Sequence, residues 1–241
     1  MLGTMKDRLE LFKTKKLSKP EIGVIYKSLR ENWEYQDQSK VKAIQVLDHL
    51  VRHNGASSEI LTEVYNKYKN KKNPTYQDEM IYLGVLENSN TKKSILDKEF
   101  KLLKLSKKHE FLSGLLRNPK LTQRQRQSCS KINSTSIVAA LVKTWTGDKK
   151  WLVRVFETKG LNEEVQDGFL LNPITPSYIL HRICETSFYL STEEIDKLID
   201  HPNVTESILL QLKRRTKSLI TRAKIDERIE DFYEEFDELE D

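Results

Sequence analysis

The stretch "KTWTGDKKWLVRVFETKG", residues 143 to 160, concentrates the side chains best suited to chemistry. Trp145, Asp148 and Trp151 lie close together there, among Lys143, Lys149, Lys150 and Arg154. Indole rings beside cations suit unpaired nucleobases, the rings stacking on bases and the cations meeting phosphate. The same spacing also suits two tryptophans that fill irregular core space around a turn at Gly147-Asp148. Further cations recur on the second helices of a repeated unit: Lys92, Lys93, Arg124, Arg126, Arg182, Lys213, Arg214 and Arg215, with Lys104, Lys107 and Lys108 beside them. A column of cations can track a phosphate backbone and release its counterions. Ordinary solvated helix faces would carry the same residues.

No catalytic motif accompanies these residues. His53, His109, His181 and His201 are scattered, without metal-ligand spacing. Cys129 and Cys184, the only cysteines, are too few for a disulfide framework or a four-cysteine metal site, and packing explains them. The body has no Gly-rich phosphate loop, no nucleophile elbow and no acidic metal cluster. No metal and no cofactor is expected, and the balance is against an enzyme.

The elements that position these side chains follow from a recurring break. "LGVLENSNTKKSIL", "LSGLLRNPKLTQRQRQSC", "GFLLNPITPSYILHRIC" and "KLIDHPNVTESILLQL" each run apolar, stop at Asn or His, and restart after Thr. A looser copy is "HLVRHNGASSEILTEV". The anchors Asn54, Asn88, Asn118, Asn172 and His201 are spaced by 34, 30, 54 and 29 residues, and 54 fits two units of 27. A period near thirty residues indicates a stacked repeat array. Asn or Gly is expected to end the first helix in the left-handed conformation. Pro then blocks continuation, and Thr or Ser caps the second helix. Pro176 is expected at a first helical position, and Ser18 with Glu21, and Ser191 with Glu194, read as capping boxes. Apolar stripes such as Leu112, Leu115 and Leu116, or Ile179, Leu180 and Ile183, are the expected core. One unit departs: where others place Ile-Leu, it has Gln125-Arg126. Either that helix end rotates or the unit opens onto a surface that uses Arg124 and Arg126.

The pattern Leu-x-x-Asn-Pro-x-x-Thr-x-x-x-Leu-x-x-Leu resembles the leucine-rich repeat variant family, an α-helical solenoid similar to HEAT repeats. It is clear over residues 80 to 130 and 160 to 213, and residues 130 to 160 lack the signature. The resemblance implies a right-handed α-solenoid of stacked helix pairs. The iron–sulfur cluster found in that family finds no cysteine cluster here. An aromatic pair with one carboxylate on such a scaffold also resembles the HEAT-like DNA glycosylases, which would make Asp148, Trp145 and Trp151 a base-excision site.

Composition sets the remaining bounds. Hydrophobic residues are 37% and charged residues 32% of 241, and with only eight Gly and six Pro long helices are favoured over an all-β fold. No stretch approaches a membrane span and no signal-peptide core opens the chain, so a cytoplasmic location without membrane contact is expected. Residues 226 to 241 hold ten Asp or Glu and one Arg, a net of −9, so the chain total of +5 leaves +14 on the preceding residues. The expectation is an all-α repeat domain over 1–225 and, over 226–241, an acidic tail or capping helix with a stripe of Ile229, Phe232, Tyr233, Phe236 and Leu239. Three functions compete: a non-catalytic binding scaffold for nucleic acid or an acidic protein partner, a base-excision enzyme, and a viral assembly or host-inhibitory factor.

Overall fold

In the computed structural model, the described residues are 3–14, 17–30, 32–37, 41–106, 108–186 and 190–237. Lys107, the side chain of Phe236 and the whole of Leu239 lie outside the described set. The regular structure of the described residues is helical, without a named strand; one isolated bridge joins Gln36 to Lys42. The chain divides into two compact units, Met1–Thr122 and Gln123–Asp241.

The first unit holds α1 (Met5–Thr14), α2 (Lys19–Leu29), α3 (Ala43–Arg52), α4 (Ser58–Tyr68), α5 (Tyr76–Glu87), α6 (Lys93–Leu105) and α7 (His109–Arg117). Within it α1 packs on α3, α3 on α5 and α5 on α7, while α2, α4 and α6 pack on α3, α5 and α7. The second unit holds α8 (Gln123–Gln127), α9 (Thr135–Thr144), α10 (Lys149–Lys159), α11 (Glu163–Leu171), α12 (Ser177–Thr186), α13 (Thr192–Ile199), α14 (Glu206–Arg215) and α15 (Leu219–Asp237). Here α9, α11, α13 and α15 pack in sequence, and α12 packs on α14. Each unit has its own apolar cluster, and the expected stripes fill them: Ile179, Leu180, Ile183, Ile208 and Leu209 are fully buried.

Sequence-local signals act as expected at several helix starts. Ser18 N–H donates to Glu21 Oε2 at 2.9 Å, and Ser191 N–H to Glu194 Oε2 at 2.8 Å, so both capping boxes form. Thr75 with Asp78 makes a third.

The breaks work differently from the expectation. Asn88, Asn118 and Asn172 are extended, with φ of −67°, −68° and −93°, not left-handed. Each is held by its side chain. Asn88 Nδ2 donates to the carbonyls of Val51 and His53, at 2.7 and 3.1 Å. Asn118 Nδ2 donates to those of Leu86 and Asn88, both at 2.8 Å. In the second unit, Asn172 Nδ2 donates to the carbonyls of Val142 and Trp145. Meanwhile Oδ1 of each Asn accepts the N–H two residues ahead, from Asn90, Lys120 and Ile174. One amide thus satisfies the carbonyls of the preceding break and tightens its own, an arrangement that buried polar groups require.

Histidine substitutes in this role. His201 is 3% exposed, and its Nε2 donates to the Asn172 carbonyl at 2.9 Å while Nδ1 accepts Asn203 N–H at 3.0 Å. A carbonyl can only accept, which fixes the neutral Nε2–H tautomer. His53 Nδ1 accepts Gly55 N–H at 3.0 Å in the same way, so His53, not Asn54, anchors the first copy. Trp145 stands midway in sequence between Asn118 and Asn172, and its carbonyl takes the place of an anchor's. It marks the unit whose signature is missing.

The threonines are also reassigned. Thr91 and Thr175 are fully buried, and each Oγ1 donates back to the first helix, to Val85 O and Phe169 O respectively, rather than capping the second. Thr205 does sit at the N-cap of α14 but makes no side-chain cap bond there. Pro176 lies one residue before α12. A glycine lies four residues before each of the three Asn anchors: Gly84, Gly114 and Gly168. A Cβ at Gly168 would stand 3.0 Å from Ala139 O, so a side chain there would force α11 and α9 to give by a few tenths of an ångström.

Helix α15 runs through the 225/226 boundary without a break. Ile225 is fully buried, and Ile229 and Phe232 pack against the second cluster.

Candidate functional site

The segment singled out first is a helix–turn–helix built around α10. Helix α9 ends at Trp145, which is extended at φ −69°. The Trp145 indole N–H donates to the Asp148 carbonyl at 3.1 Å, closing the turn. Asp148 caps α10, its carboxylate accepting Lys150 N–H at 2.9 Å. Trp151 then stacks on Trp145, with centroids 4.1 Å apart and planes 23° from parallel. Trp145 is 4% exposed and Trp151 half-buried.

The turn brings together Asp148, Trp145 and Trp151, the residues of the base-excision reading. The two rings are stacked on each other, one of them in the core, so they do not form an open aromatic slot. The carboxylate is a helix cap, and the indole N–H is committed to the turn.

The turn instead presents cations. Lys143, Lys149, Lys150 and Arg154 are exposed. None of the four makes an ion pair among the described residues. Lys150 and Arg154, four apart, share one helix face. Lys159 at the end of α10 bonds Asn133 Oδ1 at 2.7 Å. Glu157 is the one acidic residue within α10.

The other expected cations divide by environment. Lys92 and Arg124 are exposed, as is Arg214, which lines a shallow recess with His181, Glu185 and Glu206. Lys93 pairs with Asp97, Arg182 with Glu185 at 2.9 Å, and Lys213 with Asp226 of α15. Arg215 donates to the Cys184 carbonyl. Lys104 and Lys108 lie over the rings of Phe100 and Phe111, at 6.0 and 5.5 Å.

Arg126 is a correction. It is 5% exposed and stands eight residues after its anchor, as Leu96 and Leu180 stand after theirs, so the register holds and this arginine belongs to the interior. Burial alone pushes its guanidinium below the usual range. Counted from their anchors, Lys92, Arg124, Arg154 and Arg182 are at different positions of the unit. The cations therefore do not repeat at one register position.

A second cluster, within the first unit, was not legible in the sequence. Glu99 is 5% exposed and accepts the hydroxyls of Tyr65 and Tyr82, the latter at 2.5 Å. Burial first, and then the carboxylate, push both phenols above their usual range. Asp78 is 2% exposed, and Lys71 bonds its Oδ2 at 2.6 Å. Burial pushes the Asp78 carboxyl up, but Lys71 and the Thr75 donors outweigh this and hold it below its usual range. Tyr82 and Glu99 are seventeen residues apart, and Tyr65 and Glu99 thirty-four, too far for any helical periodicity to connect them. The available signal was a buried-position Glu among leucines in "ILDKEFKLL".

Among the described residues no group of three or more His, Cys, Asp or Glu could hold a metal, and no helix is long and apolar enough to cross a membrane. No family model, curated protein or solved structure matches the chain.

Proposed function

We propose that this chain is a non-catalytic α-solenoid of stacked helix pairs, akin to leucine-rich repeat variant and HEAT-like proteins, that binds nucleic acid through the basic surface of α10. The solenoid reading rests on the recurrent break, each anchor's side chain reaching back to the carbonyls of the break before it. Such nearest-neighbour bonding is what a one-dimensional stack uses. The binding reading is carried by one observation: among the described residues Lys143, Lys149, Lys150 and Arg154 are exposed and without ion pairs, whereas Lys93, Arg182 and Lys213 are already neutralised. Free cations attract phosphate at long range and gain from counterion release. The half-buried Trp151 ring beside them offers an edge for a base.

The test is fluorescence anisotropy with labelled single- and double-stranded oligonucleotides across a salt series. Replacing Lys149, Lys150 and Arg154 together by alanine is expected to weaken binding and to reduce the log–log salt slope by about 0.7–0.9 for each phosphate no longer neutralised. Replacing Arg182 and Lys213, which are already paired, should change it little. Absence of binding by the unaltered chain at low salt would overturn the reading in favour of an acidic protein partner.

A further inference from the structure

The cluster around Asp78 and Glu99 opens on a pocket of about 200 Å3 inside the first unit. Rings of Tyr68, Tyr82 and Phe111 wall it, and Lys69, Lys71 and Lys108 stand around it. It is smaller than the roughly 300–1,000 Å3 of drug-sized sites, which suits a single ring system.

Two of its polar side chains are more than nine-tenths buried and unmet by protein. Asp78 Oδ1 has no hydrogen-bond partner, although Oδ2 of the same carboxylate is fully used by Lys71 and Thr75. The Tyr68 hydroxyl, on a side chain 6% exposed, also has none. A buried carboxylate oxygen and a buried phenol without partners are costly. By contrast, the neighbouring Glu99 is saturated by two tyrosines, so the demand is local to Asp78 and Tyr68. Lys71 lies over both: its ammonium bonds Asp78, and stands 5.8 Å from the Tyr68 ring centre. Its side chain is 44% exposed, so this one flexible chain can leave Asp78 without a change of backbone.

We propose that this pocket binds a nucleotide whose base carries an exocyclic amine, as adenine, cytosine and guanine do. One amine hydrogen meets Asp78 Oδ1, while the Tyr68 hydroxyl accepts the other and donates its own O–H to the ring nitrogen beside the amine. The aromatic walls take the planar ring. The ammonium groups of Lys69 and Lys108, with Lys71 once displaced, take the phosphate. The site shares no residue with the α10 surface and stands or falls apart from it. The nucleotide comes either free or as one residue of a single strand.

Titration of the full chain with nucleoside monophosphates, followed by calorimetry and by the aromatic NMR signals of the first unit, tests this. Adenosine, cytidine or guanosine monophosphate is expected to bind, and uridine monophosphate more weakly. Tyr68→Phe is expected to weaken binding by roughly tenfold, the loss of one hydrogen bond. It should not lower the melting temperature, because that buried hydroxyl has no protein partner to lose. Lys108→Ala is expected to erase the preference for the nucleotide over its nucleoside. A short oligonucleotide, offered to the chain with Lys149, Lys150 and Arg154 replaced by alanine, separates the sources. Tighter binding than the mononucleotide assigns a strand, and equal binding a free nucleotide. No binding of any monophosphate at millimolar concentration would overturn the proposal. So would equal affinity for uridine monophosphate, or a Tyr68→Phe variant that binds as the wild type does.

Discussion

Replacing His201 by asparagine and by leucine separates a hydrogen-bonding anchor from a merely packed ring. The imidazole donates to the Asn172 carbonyl at 2.9 Å and accepts the Asn203 N–H at 3.0 Å. Leucine removes both bonds. The Asn172 carbonyl keeps the Thr175 N–H at 2.9 Å, but the half-buried Asn203 N–H loses its acceptor. One lost bond and one orphaned donor together cost about 2–4 kcal/mol. Asparagine restores both roles, as Asn118 does at its own break, and is expected to cost under about 1 kcal/mol. Acid should reproduce part of the leucine effect. Burial first, opposed by the Asn172 bond, lowers the His201 pKa from 6.5 in the fold. The unfolded chain therefore takes up a proton first as pH falls. The stabilisation is complete above pH 6.5 and is lost as pH drops from there through the lowered folded value, with a slope of at most about 1.4 kcal/mol per pH unit. Amide exchange at Asn203 and Val204 in the full chain, between pH 7.5 and 5.5 and corrected for intrinsic rates, reads this locally without assuming that the two units unfold together. An asparagine variant as unprotected as leucine, or one that keeps the acid sensitivity, would refute the assignment.

Three further outcomes follow from packing. Leu180 is fully buried, and Leu180→Ala should cost about 2–5 kcal/mol in denaturant unfolding. Gly168→Ala should lower stability by about 1–3 kcal/mol, since its methyl would stand 3.0 Å from the Ala139 carbonyl; Gly23→Ala, with open space at its Cβ, is the control. Ending the chain after Lys224 removes the buried Ile225 with Ile229 and Phe232, and should lower the melting temperature and promote aggregation, as loss of a capping helix does; an unchanged melting temperature would instead assign residues 225 onward to a surface role.

What depends on near neighbours was legible in the residues alone. Apolar spacing placed Leu112, Ile179, Leu180 and Ile208 in the interior, and Ser18 with Glu21 and Ser191 with Glu194 marked helix starts. The period near thirty residues was legible because the same break must be spelled each time. The recurring glycine of "GVLEN", "GLLRN" and "GFLLN" was also on the surface of the sequence, yet its meaning needed the Ala139 carbonyl beside Gly168. How the anchors act depends on contacts that close only in the fold. An extended asparagine looks, in sequence, like one that ends a helix in the left-handed form. The difference lies in carbonyls some thirty residues away, such as Leu86 and Asn88 for Asn118. The same long-range closure makes Arg126 interior and leaves Lys150 exposed, pairs Lys213 with Asp226, and brings Tyr65, Tyr82 and Glu99 together. Helical periodicity couples residues three and four apart, whereas the burial and pairing of a charge depend on which distant segments close over it.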